Sequence, residues 1–348
     1  MRGGRKTVLL TLAALTALAA WILPAPAQEK VTLTYASFGG ALMEGAKRAY
    51  LEPYMKANPN VTIVTDAPVD YAKIKAMVEA KNVTWDVVEV GSDFGLTRQE
   101  ALLEPIDCKV VPCPDLQPEV YKTTGYRAVF GTFSPVLGYR TDVFPAGKEP
   151  KGWPDFYDLK GFPGKRALFR ARPQYLLESA LLGDGVDAKR LYPLDVDRAF
   201  KKLDTIKDSV VWATSTQHCA ELLRAKTAVM GLCFNGRLAD IQGQGAPVAM
   251  QWNAGFTAGG YLVIPKGSKN VKEAMKLIAY MTSAEHNAQF SWQYPSAPTN
   301  RKALDKVDPS KKDVLGSAFV DKIVGQDDVW WSDNFEAVNL RFQEWLRR

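Results

Sequence analysis

The stretch Val31-Thr32-Leu33-Thr34-Tyr35-Ala36-Ser37-Phe38-Gly39-Gly40 decides the fold of this chain. Its first six residues are rich in β-branched and apolar side chains, and a helical pattern from Leu42 to Ala57 begins directly after the two glycines. A strand that passes through a small, Gly-rich turn into a helix forms a βα unit. The stretch therefore predicts an α/β fold with parallel strands.

The same alternation of strands and helices continues downstream. Short apolar runs alternate with helical patterns, and no internal repeat or low-complexity tract interrupts them. Asn270 and Glu273 have the capping-box spacing that opens a helix. The further predicted elements are a strand at 61–65, a helix at about 71–80, a strand buried on both faces at 85–90, and strands at 246–251 and 260–265.

The N-terminus has the pattern of a secretory signal. Arg2, Arg5 and Lys6 precede an apolar run from Thr7 to Leu23, and Ala25-Pro26-Ala27 matches an A-x-A cleavage site. No second hydrophobic span follows, and no Cys stands at the cleavage point to carry a lipid. We therefore expect residues 1–27 to be a signal peptide, cleaved after Ala27, and the mature chain to reside in the periplasm.

Length and charge limit the architecture and the partners. A mature chain of roughly 320 residues exceeds the size at which one core stops growing, so two lobes are expected. Removal of Arg2, Arg5 and Lys6 lowers the formal net charge from +6 to about +3. So small a charge, without a Lys/Arg stripe, offers no electrostatic footprint for nucleic acid or an anionic membrane. Neither is expected as a partner.

Four cysteines in an exported chain indicate disulfide pairing. Cys108 and Cys113 are expected to form one bridge, because Pro112 and Pro114 hold that loop compact. Cys219 and Cys233 would form a second bridge. The alternative for that pair is two buried thiols that pack as small hydrophobic side chains.

Two loops at strand ends have the chemistry of ligand binding. Ser37 to Gly40 would present backbone N–H groups and a hydroxyl at a helix N-terminus, which can hold the polar end of a ligand. Gly91 to Gly95 projects polar groups at the carboxyl edge of the sheet, where open α/β folds usually bind. Ordinary turn chemistry, with Ser92 or Asp93 acting only as a cap, is the alternative explanation.

A set of short motifs, in order along the chain, resembles the putrescine/spermidine-binding group of bacterial extracellular solute-binding proteins. The resemblance covers nearly all of the mature sequence, and the ordered set is more specific than any one motif. The motifs are Tyr35-Ala36-Ser37-Phe38-Gly39-Gly40-Ala41, Trp85-Asp86-Val87-Val88, Gly161-Phe162-Pro163-Gly164-Lys165-Arg166, Leu191-Tyr192-Pro193-Leu194-Asp195, Phe234-Asn235-Gly236-Arg237 and Pro298-Thr299-Asn300.

The resemblance implies a type II periplasmic-binding fold, in which two α/β lobes joined by hinge strands close over a ligand cleft. Lobe I would contain residues 28–135 plus 259–300, and lobe II residues 136–258 plus 301–348 with the C-terminal helices. The hinges would lie near 132–138 and 253–260. The partners implied are a small-molecule ligand, an ABC permease and its ATPase, and the receptor is expected to be a monomer.

The chain departs from polyamine receptors at the positions that bind the ligand. Those receptors hold diammonium ligands with carboxylates and an aromatic box. Alignment of the segment 177–181 puts Arg172 and Tyr175 where they place carboxylates, and Phe234 replaces the usual Trp. Ala258 and Gly260 fall where a Trp and an Asp are expected. Most of the polyamine box is missing.

A planar guanidinium binds a carboxylate with two parallel hydrogen bonds, so the substitutions predict a carboxylate-bearing or zwitterionic solute. A polyamine is the alternative ligand. A further alternative is that Arg170 or Arg172 pairs with a protein carboxylate across the cleft or on the surface. The predicted ligand-binding residues are Ser37, Phe38, Gly39, Gly40, Ser92, Asp93, Ser134, Arg170, Arg172, Tyr175, Thr214, Ser215, Gln217, Phe234, Asn235 and Tyr261.

Two competing classes, an enzyme and a ferric-iron receptor, find little support in the sequence. His218 and His286 lie far apart, and metal-binding spacings, G-x-S-x-G and S-x-x-K motifs are missing. Ferric iron would need a cluster of Tyr oxygens, whereas Tyr50 and Tyr54 have the spacing of one helix face. We expect no catalytic residue, no cofactor and no metal.

Overall fold

The computed structural model describes residues 29–116, 125–319 and 321–348, and they form two α/β lobes. The predicted signal peptide and its cleavage site lie outside these residues. Within the described ranges, no helix is both long enough and apolar enough to cross a membrane.

Strands and helices alternate along the chain as the sequence predicts. The strands are β1 (Val31–Ala36), β2 (Val61–Asp66), β3 (Val87–Gly91), β4 (Ala128–Phe133), β5 (Pro135–Arg140), β6 (Arg166–Phe169), β7 (Val210–Ala213), β8 (Met230–Phe234), β9 (Val248–Gln251), β10 (Phe256–Val263) and β11 (Val324–Gly325). The α-helices are α1 (Gly40–Ala46), α2 (Glu52–Ala57), α3 (Tyr71–Glu79), α4 (Trp153–Tyr157), α5 (Leu176–Gly183), α6 (Val196–Asp204), α7 (Thr216–Arg224), α8 (Asn235–Gly243), α9 (Val271–Thr282), α10 (Ala284–Gln293) and α11 (Asp328–Arg347). Short 3-10 helices lie at Thr97–Leu102, Cys113–Asp115, Ala188–Arg190, Lys207–Ser209, Arg301–Lys306, Pro309–Val314 and Gly316–Phe319, and a π-helical segment at Lys47–Leu51 joins α1 to α2.

The predicted elements are confirmed, with ends that move by a few residues. β1 has the predicted bounds, and the helix predicted from 42 to 57 is the continuous run of α1, the π-helical segment and α2. β10 begins four residues earlier than predicted, because Phe256 and Thr257 pair with β11. Asn270 stands at the N-cap of α9, but the capping box predicted for Asn270 and Glu273 is wrong. The amide of Asn270 donates to the carbonyl oxygen of Thr32 and to Asp86, and the carboxylate of Glu273 binds Tyr54 and Lys276 instead.

Each lobe is built on one mixed sheet. Sheet I, in lobe I, has the order β11-β10-β3-β1-β2, with β4 also paired to β10, and sheet II, in lobe II, has the order β7-β6-β8-β5-β9. β1 runs parallel to β2 and β3, but β10 is antiparallel to β3 and β4, and β5 is antiparallel to β8 and β9. The expectation of parallel sheets is wrong for these strands. β5 and β10 enter directly from the other sheet, without the helical crossover that parallel neighbours need.

The chain passes between the sheets at two tight crossovers, which overlap the predicted hinge regions. Ser134 alone separates β4 from β5, and residues 252–255 separate β9 from β10. Asn235 braces the first crossover. Its side-chain oxygen accepts the backbone N–H of Ser134 at 2.9 Å, and its amide nitrogen donates to the carbonyl oxygen of Val314 at 2.7 Å.

Apolar cores lie in both lobes, and the C-terminal segments divide between them. Trp331, Phe342 and Trp345 of α11 belong to the lobe II core. The 3-10 helix Arg301–Lys306 instead lies against α10 of lobe I, where the indole N–H of Trp292 donates to the carbonyl oxygen of Lys306 at 3.1 Å. The lobe bounds stated above stay predictions.

Both predicted disulfides are present. Cys108 pairs with Cys113, and Cys219 pairs with Cys233, with Cα–Cα distances of 5.4 and 5.7 Å. The second bridge ties α7 to β8, so the alternative of two buried free thiols is wrong.

Candidate functional site

A cavity of about 420 Å³ lies between the two lobes. This volume falls in the range of small-molecule sites, on the order of 300–1,000 Å³. The lining is mainly apolar with a few polar and charged groups, as in such sites generally. Its residues are Phe38, Leu42, Pro68, Val69, Glu89, Val90, Gly91, Ser92, Asp93, Phe133, Pro135, Phe169, Ala171, Arg172, Gln174, Tyr175, Thr214, Ser215, Thr216, Leu232, Phe234, Arg237, Ala258, Gly259, Gly260, Tyr294, Gln326 and Phe335.

An ion pair crosses the cavity from one lobe to the other. Arg172, which follows β6, donates from Nη1 to Oδ2 of Asp93, which follows β3, at 2.9 Å. Gln174 donates to the same oxygen at 3.1 Å, and the hydroxyl of Tyr71 donates to Oδ1 at 3.2 Å. Asp93 is buried, whereas the Arg172 side chain keeps 30% of its surface exposed. Both carboxylate oxygens of Asp93 are therefore occupied by protein donors.

A buried arginine, Arg127, holds the loop that carries Ser92 and Asp93. Arg127 Nη1 donates to the carbonyl oxygens of Ser92 at 2.7 Å and Phe94 at 2.9 Å. Its guanidinium stacks on the ring of Tyr261, 3.8 Å from the centroid. Tyr261 thus supports the loop that lines the cavity and does not line it itself.

Glu89 is a second carboxylate in the lobe I wall. It stands on β3 and is 1% exposed. Its Oε2 accepts hydrogen bonds from Ser37 Oγ at 2.7 Å and from the Tyr35 hydroxyl at 3.3 Å. Burial raises the pKa of Glu89 to about 7, although the two hydroxyl donors and the positive charge of Arg237 lower it in part.

Arg237, on α8 of lobe II, is a buried cation at the same wall. Its Nη2 donates to the carbonyl oxygen of Gly39 at 3.3 Å, and its guanidinium lies over the ring of Tyr294, 5.6 Å from the centroid. A Cβ on Gly40 would lie 3.3 Å from Nη1 of Arg237. The two glycines, with φ of 77° and 61°, therefore allow lobe II to approach this turn closely.

The lobe II wall combines an aromatic side chain with hydroxyls. Tyr175 precedes α5 with φ of 64°, in the left-handed region, and packs edge-on to Phe234 with ring centroids 6.2 Å apart. Such a backbone for a residue other than Gly costs about 1–3 kcal/mol and is often found at ligand sites. Ser215 caps α7 by accepting the N–H of His218 at 3.0 Å, and Thr214 precedes it at the cavity surface.

A chain of hydrogen bonds joins the cavity to the C-terminal helix. Ser92 Oγ donates to Oε1 of Gln326 at 3.3 Å, and Nε2 of Gln326 donates to Oε1 of Glu178 at 3.2 Å. The same Glu178 oxygen also accepts from the Tyr192 hydroxyl and from Trp331 Nε1, each at 2.6 Å. Lobe I therefore contacts lobe II through the segment that leads into α11.

The structure places about half of the predicted residues on the cavity. Gln217 bonds instead to Glu221 on its own helix, and Arg170 is exposed on the surface. Their ligand contacts stay predictions. The predicted residues on the cavity are Phe38, Ser92, Asp93, Arg172, Tyr175, Thr214, Ser215 and Phe234, and those away from it are Ser37, Gly39, Gly40, Ser134, Arg170, Gln217, Asn235 and Tyr261.

Sequence reasoning missed Glu89, Gln174, Arg237 and Gln326, which all line the cavity. Glu89 had a readable signal, because it is the charged residue in a strand that is otherwise apolar from Val87 to Val90. Arg237 and Gln326 had no such signal in the sequence, since only tertiary packing brings α8 and the C-terminal segment to the cavity. Among the described residues, no group of three His, Cys, Asp or Glu side chains is arranged to hold a metal ion.

Comparison with known proteins agrees with this architecture. The family model for bacterial extracellular solute-binding proteins matches residues 49–316. The gamma-aminobutyric acid-binding protein of Pseudomonas aeruginosa strain PAO1 is 32% identical over 326 residues, which cover 91% of each chain. The solved structure of the Atu4243 GABA receptor is 36% identical, with a TM-score of 0.84 and coverage of 91% of this chain and 98% of that one. AgtB of A. tumefaciens R10, solved with agropinic acid, is 32% identical with a TM-score of 0.83, over 92% of this chain and 100% of that one.

The chain belongs to the family of bacterial extracellular solute-binding proteins. It has the type II periplasmic-binding fold, with the ligand cavity between the lobes. Its function is that of a receptor that captures a small organic solute for an ABC importer and delivers it to the permease.

Proposed function

We propose that this receptor binds a small zwitterionic solute, an ω-amino acid of the kind that 4-aminobutanoate represents. The observation that carries the proposal is the charge of the cavity lining. Its carboxylates, Glu89 and Asp93, come from lobe I, and its guanidiniums, Arg172 and Arg237, come from lobe II. The charges of the lining balance, so a ligand with one positive and one negative end adds no uncompensated charge to a buried site.

A polyamine fits this lining poorly. A diammonium ligand would place two positive charges in a cavity that already holds two guanidiniums, and the desolvation and repulsion would cost several kcal/mol. The names of two relatives support the zwitterion, because the P. aeruginosa protein and the Atu4243 receptor are both described as binding gamma-aminobutyric acid.

A larger acid such as agropinic acid is the second candidate ligand. The hydroxyls of Ser92, Thr214, Ser215 and Thr216 at the cavity could bind polar groups beyond those of a four-carbon amino acid. AgtB, of similar sequence and structure, is described in complex with this acid.

The transport cycle that we propose begins in the periplasm, after cleavage of the signal peptide. A monomeric receptor binds the solute with groups from both lobes, and these contacts favour the closed state. The closed receptor then docks on the permease, whose ATPase drives uptake. No covalent chemistry on the solute is needed.

A series of four-carbon ligands tests the proposal. 4-Aminobutanoate, putrescine and succinate share one chain length and differ in the charges at their ends, and agropinic acid tests the larger class. We expect 4-aminobutanoate to raise the unfolding temperature most, since a ligand at 100 times its Kd adds about 2.7 kcal/mol to stability. A response to putrescine with none to 4-aminobutanoate would contradict the zwitterion and favour the polyamine. A response to agropinic acid alone would establish the second candidate.

A further inference from the structure

One carboxylate at the cavity has an oxygen without a protein donor. Glu89 Oε2 is occupied by the hydroxyls of Ser37 and Tyr35. The hydrogen bonds of the described residues leave its Oε1 without a donor, and among those residues Glu89 forms no ion pair. An ionised carboxylate in so buried a position is stable only when it gains a partner.

Asp93, the other carboxylate of the lining, differs from Glu89 in this respect. Its two oxygens already accept hydrogen bonds from Arg172, Gln174 and Tyr71. A ligand ammonium that bound Asp93 would have to compete with a guanidinium at 2.9 Å. Glu89 is the lobe I carboxylate that can accept a cation without breaking an existing bond.

We propose that Glu89 receives the ammonium group of the ligand and thereby selects amino acids over simple acids. This inference rests on the proposed function, because it assumes a ligand with a cationic end. The carboxylate end would bind on the opposite wall, where Arg172 keeps part of its side chain exposed. The ligand then joins the lobes through its two ends, so both ends are needed for closure.

The surroundings of Glu89 are suited to a charged carboxylate only when a cation is bound. Tyr35, Tyr50 and Tyr294 approach it with neutral phenols, and Arg237 contributes a positive charge from lobe II without pairing with it. Leu262 is its neighbour on β10. Its pKa of about 7 in the empty cavity implies that part of the population is protonated near neutral pH.

Binding of an ammonium group should therefore be linked to a proton. Above pH 7 Glu89 is ionised and can bind the cation at once. Below pH 7 the carboxyl group must first release its proton, so the affinity should fall by up to tenfold for each pH unit.

The substitution Glu89→Gln tests the assignment directly. The amide has nearly the same shape, and its oxygen can still accept from Ser37 and Tyr35. At pH 8, calorimetry with 4-aminobutanoate should show at least a tenfold loss of affinity, since a hydrogen bond to a charged group contributes about 1.5–3 kcal/mol. Glu79→Gln, on α3 and away from the cavity, is the matched control and should bind as the wild type does. Equal affinity of E89Q and the wild type would overturn the assignment.

A pH profile distinguishes ligand contact from a structural role. The wild type should bind 4-aminobutanoate more weakly at pH 5.5 than at pH 8, and E89Q should show no such dependence. Asp328→Asn and His218→Gln are measured beside them, because partial burial raises the pKa of Asp328, which lies next to Ser92, to about 7, and because His218 bonds to Thr214. If E89Q does not fold, the wild-type profile alone still tests the assignment. An affinity that is the same at pH 8 and pH 5.5 overturns it. A fall in affinity from pH 8 to pH 5.5 that also occurs in D328N and H218Q supports it.

Failure of this inference can be told from failure of the proposed function. Absence of 4-aminobutanoate binding by the wild-type protein would overturn the proposed function and the inference with it. Tight binding by the wild type, with an affinity and a pH profile of E89Q equal to those of the wild type, would overturn the role of Glu89 alone.

Discussion

Arg172 combines two roles that the sequence presented as alternatives. It lines the cavity, and it also pairs with Asp93 across it. Because Nη1 is bound to the aspartate and 30% of the side chain stays exposed, the guanidinium is held in place with donors left for a ligand. A ligand carboxylate would bind a cation that is already oriented, which lowers the entropy cost of binding.

Replacement of Arg172 by Ala should weaken 4-aminobutanoate binding by about 2 kcal/mol or more, because a charged hydrogen bond is lost and Asp93 loses its counter-ion. Calorimetry measures the change. Arg170→Ala is the control, since that side chain is exposed and lies off the cavity. Unchanged affinity in R172A would remove the residue from the site, and an equal loss in R170A would show that general charge, not contact, is responsible.

Residues behind the cavity wall act by positioning others. Tyr261 supports Arg127, which holds the Ser92 loop, and Asn235 fixes Ser134 at the crossover between the sheets. Asn235 belongs to one of the family motifs, yet neither it nor Tyr261 nor Arg127 lines the cavity. Proximity in sequence to a ligand-binding loop therefore does not tell whether a residue supports the cavity wall or contacts the ligand.

Among the elements, α11 has the most direct connection between packing and the site. Trp331 is fully buried, and its indole N–H donates to Glu178, the residue that also binds Gln326 at the cavity. Trp345 stacks on Phe200 of α6, with ring centroids 5.8 Å apart. Trp331 and Trp345 do not line the cavity, whereas α11 contributes Phe335 to the lining and positions the segment that carries Gln326.

Trp331→Ala should lower the free energy of unfolding by about 3–5 kcal/mol, because it leaves a large cavity in the lobe II core and removes a donor from buried Glu178. Urea unfolding followed by circular dichroism measures the loss. Leu340→Ala on the same helix is the control, because Leu340 is 60% exposed and should change stability by at most about 0.5 kcal/mol. A loss of unfolding free energy in W331A as small as that in L340A would mean that α11 contributes little to the stability of lobe II.

For the molecule as a whole, hydrogen bonds across the cavity hold the lobes together. Arg172 bonds to Asp93, Ser92 to Gln326, and Arg237 to the backbone of Gly39. The connections between the sheets at Ser134 and at residues 252–255 are short, so the lobes can rotate but cannot separate. This is the arrangement expected when a ligand cavity is closed between two lobes.

Addition of 4-aminobutanoate should reduce the radius of gyration in solution, because ligand contacts from both lobes favour the closed state. Small-angle scattering of the ligand-free and ligand-saturated protein measures the change. R172A at the same ligand concentration should show a smaller decrease, since it lacks a group that binds across the cavity. An unchanged radius in the wild type, with binding confirmed by calorimetry, would mean that the lobes are closed before the ligand arrives.

The sequence by itself determined the α/β class, the alternation of elements and the bridge between Cys108 and Cys113, because periodicity and turn chemistry are local properties. For Cys219 and Cys233 it left a bridge and two buried thiols as alternatives, and only the structure decided between them. Asp93 was predicted because it follows a strand at the edge where such folds bind, whereas Arg172 and Tyr175 were predicted from the alignment with polyamine receptors, and all three line the cavity. The antiparallel direction of β5 and β10 could not be predicted from the sequence, because it depends on where the chain crosses from one lobe to the other.

Only the tertiary structure decided which charges face one another. Glu89 on β3 and its neighbour Arg237 on α8 lie far apart in the sequence, and Gln326 reaches the cavity through the packing of α11. The cost of burying a charge depends on the partners that folding brings to it, and those partners lie far away along the chain. The balance of two carboxylates against two guanidiniums, on which ligand choice depends, is therefore a property of the closed lobes and not of any one segment.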